Sequence, residues 1–233
     1  MTNIENKIQL RDINYRINKK FFFKNLSIQF SIKGITVILG PNGSGKSLLT
    51  KIIKGLIKPD SGEIIIRLKG KDPQIGYLSQ NMTFLRRDVF SNLSYPMEIK
   101  GAQPEYIQEK ISSLLQYFEF LGKENSSARN LSLGNKQYLS FIRTLVNKPN
   151  FLILDEPSSH LDTKSTKKIE QYLIKKKKEL KIIMVTHDLF QAKRLADEIL
   201  FMNEGQLIDI SSKRKFLRSQ NRLIKKFLAG NLL

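Results

Sequence analysis

Apolar positions along the first forty residues come in short bursts: Ile8-Gln9-Leu10, Phe21–Phe23, Leu26-Ser27-Ile28-Gln29-Phe30 and Ile35–Leu39. Their alternation or short unbroken runs predict strands. Residues 47–57 carry apolar side chains at helical spacing (Leu48, Leu49, Ile52, Ile53, Leu56) and predict a helix. Pro59-Asp60-Ser61-Gly62 is a turn signal, and Glu63–Leu68 a further strand. From 86 to 130 the pattern is mostly helical, with Ile107, Ile111, Leu114, Leu115 and Phe118 on one stripe. A helix over 137–146 turns Leu139, Ile142, Leu145 and Val146 inward. Phe151-Leu152-Ile153-Leu154 is apolar throughout, as a parallel strand covered on both faces requires. Helix 163–178, strand Ile182–Val185, helix 188–196 and strands near 199–202 and 206–210 complete the chain. Alternating strands and helices predict an α/β fold with a mostly parallel central sheet. The helical block, residues 82–146 in outline, reads as a lobe inserted in a single domain spanning 1–233.

Composition narrows the classes. Of 233 residues, 40% are hydrophobic, enough for a sizeable core and too many for a disordered chain. The absence of Cys excludes a disulfide scaffold, a Cys-ligated cluster and a thiol nucleophile. No run reaches the roughly 18–20 apolar residues of a membrane helix, and Met1-Thr2-Asn3-Ile4-Glu5 lacks a signal-peptide layout. The expectation is a soluble chain whose membrane role, if it has one, is peripheral. The net charge of +19 admits nucleic acid, an anionic membrane face or phosphate ligands. It equally admits solvated lysine-rich helix faces, since Lys175–Lys178 has no interleaved aromatics.

Gly40-Pro41-Asn42-Gly43-Ser44-Gly45-Lys46-Ser47 matches G-x-x-x-x-G-K-[ST] between an apolar strand and a helix start. In that setting successive backbone N–H groups curl around phosphate oxygens and the helix N-terminus adds positive potential. Lys46 reaches the terminal phosphates and the Ser47 hydroxyl ligates Mg²⁺. Asp155-Glu156-Pro157 follows the buried strand, at the strand end where open α/β sheets bind ligands. Asp155 suits the Mg²⁺ shell. Glu156 can polarise an attacking water as general base.

The ordered set Gly40–Ser47, Gln80, Leu131–Gln137, Phe151–Pro157, Ser159–Asp162 and His187 resembles the ATP-binding cassette (ABC) ATPases over nearly the whole chain. The resemblance implies a P-loop NTPase core with a mostly parallel sheet, an N-terminal antiparallel β region and an inserted α-helical lobe. It implies ATP and Mg²⁺ as ligands. It gives Gln80 the water, the Mg²⁺ and the hinge of the lobe. Leu131-Ser132-Leu133-Gly134-Asn135-Lys136-Gln137 is similar to the signature L-S-G-G-Q-x-Q, whose Ser132 and Gly134 clamp the γ-phosphate of ATP held by a second subunit. Ser159-His160-Leu161-Asp162 is similar to the loop along the dimer seam, and His187 fits the histidine that contacts the γ-phosphate. Leu133 and Asn135 depart from the signature, which bears on affinity or rate at the composite site. Ile17 stands where the family places an aromatic on adenine, with Tyr15 or Phe21–Phe23 as substitutes.

The resemblance further implies a like ATPase subunit as partner, permease subunits, a separate substrate-binding protein, no nucleic acid, and a peripheral place on the cytoplasmic face of the membrane. The segments 84–93 and 186–197 and the ending Phe227–Leu233 look like importers of oxyanions of the tungstate, phosphate or molybdate kind. The alternative class is a soluble or export-type cassette, for haem or lipid export or associated with nucleic acid.

Overall fold

The computed structural model describes residues 6–68 and 73–230, so the reading of Met1–Glu5 and the last three residues of the ending lie outside the described residues. β1 (Lys7–Ile17) and β2 (Lys20–Phe30) join through Asn18-Lys19, both at positive φ (50° and 66°), the two-residue turn whose twist suits a hairpin. The bursts at 21–23 and 26–30 are therefore one strand. Its irregularity at Asn25 is held by Asn14 Oδ1, which accepts from the Asn25 N–H at 3.0 Å. β4 (Ser61–Arg67) pairs antiparallel with the other edge of β1, giving a sheet ordered β2-β1-β4.

The second sheet runs β5 (Ile75–Leu78), β6 (Phe151–Asp155), β7 (Lys181–Val185), β3 (Gly34–Leu39), β8 (Glu198–Asn203) and β9 (Gln206–Ser212). Its first five strands are parallel, and β9 returns antiparallel through Glu204-Gly205. Alternate side chains divide between two cores. Ile35, Val37, Leu39, Leu152 and Leu154 face the helical side, while Ile38, Phe151, Ile153 and Ile183 face the antiparallel sheet and α1 (Lys46–Lys54). That double cover is why β6 and β7 are apolar on both faces.

α2 (Val89–Glu98), α3 (Pro104–Tyr117) and α4 (Leu133–Leu145) fall between β5 and β6. α5 (Thr163–Lys176), α6 (Leu189–Leu195), α7 (Lys213–Leu217) and α8 (Arg222–Leu228) complete the described elements. The expected α/β class, parallel centre and antiparallel N-terminal region all appear.

Several boundaries differ from the sequence pattern. α1 ends at Lys54, not 57, because Gly55 turns left-handed (φ 79°) and the Gly55 and Leu56 N–H groups close the helix on Ile52 and Lys51 carbonyls. Residues 118–130 carry one short 3-10 turn (Ala128–Asn130) where the pattern predicts helix. The chain breaks at Glu119 (φ 54°) so that Phe118 and Phe120 both enter the core. α4 begins at Leu133, not 137, because the Ser132 side chain caps it by accepting from the Asn135 N–H at 3.3 Å. β5, α7 and α8 are not announced by the hydrophobic pattern.

Candidate active site

The parallel strands all point one way, so their C-terminal ends share an edge. β3 delivers the loop Gly40–Ser47, β5 delivers Gln80, β6 delivers Asp155 and Glu156, and β7 delivers Thr186 and His187. A cavity of about 330 Å³ opens there. Its walls include Asn42, Gly43, Gly45, Lys46, Ser47, Gln80, Asp155 and Glu156, with Ile17, Phe22, Leu48 and Val185.

The loop's backbone is set by its glycines. Gly45 stands at φ 101°, and a Cβ there would meet Phe22 Cε1 at 2.6 Å and Phe23 Cε1 at 2.9 Å. No acid occupies the first turn of α1, and Gly45 offers no capping side chain, so the first N–H groups of the helix and its dipole are free to meet an anion. Lys46 donates to the Gly40 and Pro41 carbonyls, each at 2.8 Å. Burial lowers its pKa, with Glu156 and Asp155 opposing. Ser44 is buried and its Oγ has no hydrogen-bond partner among the described residues.

Asp155 is almost fully buried, and its Oδ1 has no hydrogen-bond partner among the described residues. Burial pushes its carboxyl up, while the Ser47 hydroxyl, Lys51 and Lys46 pull it down. Glu156 is held from every side. Its N–H donates to Val185 O at 3.0 Å, and its carbonyl accepts from Gln137 Nε2 at 2.9 Å and Ser159 Oγ at 3.3 Å. Its Oε1 lies 2.9 Å from His187 Nδ1. These bonds fix a left-handed backbone (φ 52°) that costs a non-glycine residue about 1–3 kcal/mol. Burial raises the Glu156 pKa, with the His187 hydrogen bond opposing it.

Lys46, Ser47, Gln80, Asp155 and Glu156 are thus brought together. His187 lies outside the wall and touches it through Glu156, its side chain 71% exposed. Ser132 and Gly134 do not line the cavity. They stand at the start of α4, Ser132 exposed and Gly134 half-buried, where a Cβ on Gly134 would lie 2.8 Å from the His160 carbonyl, so only glycine admits this approach of loop and helix. Of the residues considered for adenine contact, Ile17 and Phe22 line the cavity, Tyr15 packs against the core, and Phe21 lies under Arg16 at 4.3 Å. Gln137 closes the signature-like segment, and its residue type and position there point to no role. Its bond to Glu156 joins residues 19 apart in the chain, which no pattern in either segment announces.

This fold with this cavity defines a P-loop ATPase carrying an inserted helical lobe. The model of the ABC transporter family matches residues 23–159. Over 226 residues the chain is 34% identical to the molybdate/tungstate import ATP-binding protein of Methanocaldococcus jannaschii, covering 94% of this chain and 75% of that protein. It is 31% identical over 227 residues to the spermidine/putrescine import ATP-binding protein of Spiroplasma citri, covering 94% of this chain and 65%, just under two thirds, of that one. A solved ATP-binding subunit of an ABC transporter superposes with a TM-score of 0.84 at 20% identity, over 97% of this chain and 99% of that chain, a likeness of fold. The chain belongs to the ABC transporter family and is one of its ATPases. No helix among the described residues is long and apolar enough to cross a membrane.

Proposed function

We propose that this chain powers an importer of an inorganic oxyanion such as tungstate, molybdate or phosphate, closing on a second copy of itself around two ATP molecules. The observation that carries the catalytic part is the shared cavity, which Lys46, Ser47, Gln80, Asp155 and Glu156 all face. A triphosphate lying along Gly40, Pro41, Asn42, Gly43, Ser44 and Gly45 meets backbone N–H groups and the start of α1. Lys46 then exchanges its two loop carbonyls for phosphate oxygens. Gln80 orients the attacking water, and Glu156 takes its proton as the γ-phosphorus–oxygen bond to ADP breaks. His187 steadies Glu156 and lies at the γ-phosphate end. Ser132 and Gly134 of the second copy complete the phosphate cradle.

The donor set fits Mg²⁺. No group of three or more His, Cys, Asp or Glu able to hold a metal occurs among the described residues. The Ser47 hydroxyl, the Gln80 amide and Asp155, with its unpaired oxygen, suit an ion that takes its other ligands from phosphate and water. Bound there, Mg²⁺ supplies charge neutralisation for the phosphates.

The single domain 1–233 closes by movement of the lobe 82–146 against the core. A second hollow of about 530 Å³ runs beside the Gln80 segment, between Gln74–Ser79 of the core and Pro96, Lys100, Arg143 and Asn147 of the lobe. A permease subunit seated there touches both moving parts from the cytoplasmic face of the membrane. A separate binding protein delivers cargo, and nucleic acid has no part. Import is supported by the names of both relatives, and the oxyanion by the first of them. A polycation importer at 31% identity marks how little the ATPase core itself selects cargo.

Glu156→Gln tests the chemistry: the variant binds ATP, accumulates ATP-bound dimers on size exclusion and loses turnover. Retained turnover removes Glu156 as general base. Reconstituted with its permease and binding protein, the ATPase rises with tungstate, molybdate or phosphate; stimulation by spermidine alone rejects the oxyanion.

A further inference from the structure

Gln137 lies in the second turn of α4, 1% exposed. Its Nε2 donates to the Glu156 carbonyl at 2.9 Å. Its Oε1 has no hydrogen-bond partner among the described residues. Burying an amide without compensation costs about 1–3 kcal/mol on protein scales, so a residue kept here for packing alone would be better apolar. The amide also has only one workable orientation: turned over, it would set its oxygen against the Glu156 carbonyl. Three residues earlier on the same helix, Gly134 admits the His160 carbonyl to within 2.8 Å of where a Cβ would stand. The helix therefore grips the chain after β6 at two points, Glu156 and His160. The first is a residue at φ 52° that tethers must hold in place.

We infer that Gln137 is a positioning residue: it locks the backbone of Glu156 to the helix whose first turn carries Ser132 and Gly134, and so ties the base of one ATP site to the clamp this chain offers to the other. The inference rests on the reading of Glu156 as general base and of Ser132 and Gly134 as a clamp on the second copy's ATP. A shift of α4 when the clamp engages is passed to Glu156 through the amide N–H, while the Val185 and His187 bonds hold its other ends. In the open monomer the same bond keeps Glu156 poised. The path is short and made of named contacts: the capping Ser132, one and a half turns of helix, one hydrogen bond, and the carbonyl of the base.

The test uses Gln137→Met, which keeps length and burial and removes the donor, and Gln137→Asn, whose amide is one methylene too short. Each is compared with the unchanged chain and with Glu156→Gln for thermal melting, ATP affinity, kcat and KM. Expected for both is a kcat roughly 10- to 100-fold lower, the scale on which a displaced catalytic group slows chemistry, with ATP affinity and KM within about twofold. In the Glu156→Gln background neither change lowers the residual rate further, because the group it positions is gone. Unchanged kcat in a folded variant overturns the proposal. So does an equal further loss in the Glu156→Gln background, which would mark a general packing role. Should Glu156→Gln itself keep its turnover, the reading of the base fails, separately from the outcome for Gln137.

Discussion

His187 Nδ1 lies 2.9 Å from Glu156 Oε1, so an exposed ring at the end of β7 steadies a carboxylate that burial would otherwise favour in its protonated form. The two effects on Glu156 oppose each other: desolvation raises its pKa and the histidine lowers it.

Removing the ring changes the balance in a known direction. In His187→Ala the pKa of Glu156 moves further up, and a base must be ionised to accept a proton. The acid limb of the kcat–pH profile therefore moves to higher pH, and kcat at neutral pH falls. Initial-rate measurements across the acidic range check this; an unmoved limb would separate His187 from Glu156.

Lys46 holds two loop carbonyls at 2.8 Å and exchanges them for phosphate on binding. Hydrogen bonds to a charged group contribute about 1.5–3 kcal/mol, so Lys46→Ala weakens ATP binding by roughly 10- to 100-fold. Titration with a fluorescent ATP analogue measures it. The melting temperature without nucleotide, measured beside it, separates lost binding from lost fold.

Gly45→Ala is a folding lesion as well as a binding one. The new Cβ meets Phe22 and Phe23 at 2.6 Å and 2.9 Å in a backbone at φ 101°. Strain and overpacking of this kind cost about 1–3 kcal/mol each. Thermal unfolding without nucleotide should show a clear loss, and an unaltered melting temperature would mean that the ring pair moves aside freely.

Lys181 is fully buried at the start of β7, its Nζ 2.7 Å from Ser31 Oγ and 3.8 Å from Glu198 Oε2. Burial lowers its pKa from 10.5 to about 8, with Glu198 and Asp197 opposing. A base whose folded pKa is depressed releases its proton more readily in the folded state. Its contribution to stability therefore rises as pH increases from about 8 to 10.5 and is flat outside that window. Lys181→Met removes this rise: the stability gap between variant and parent, from denaturant melts at pH 7 and pH 10, shifts in the parent's favour at pH 10. A pH-independent gap would leave Lys181 protonated throughout.

Much of the architecture was legible because its signals are local. The unbroken apolar run of β6 announces a strand covered on both faces, and the loop Gly40–Ser47 sits where a strand hands over to a helix. What escaped were features set by contacts between distant segments. Ser132 caps α4 five residues before the periodic pattern becomes clear, and the stretch 118–130 leaves the helix because two phenylalanines turn into the core. Phe22, one of three adjacent phenylalanines, lines the cavity while Phe23 is core and Phe21 faces outward under Arg16.

By itself the amino-acid order determined that a phosphate loop, a pair of acids and a histidine each follow an apolar strand, with a glutamine between the first two, because residue types and spacings of that kind are written in contiguous segments. Only the folded chain decided that these ends lie along one edge, that His187 and Gln137 both fasten Glu156, and that Ser132 and Gly134 stand away from the cavity of their own chain. Strand order, helix docking and the choice of hydrogen-bond partner are settled by packing among elements far apart in sequence, and no local pattern records them.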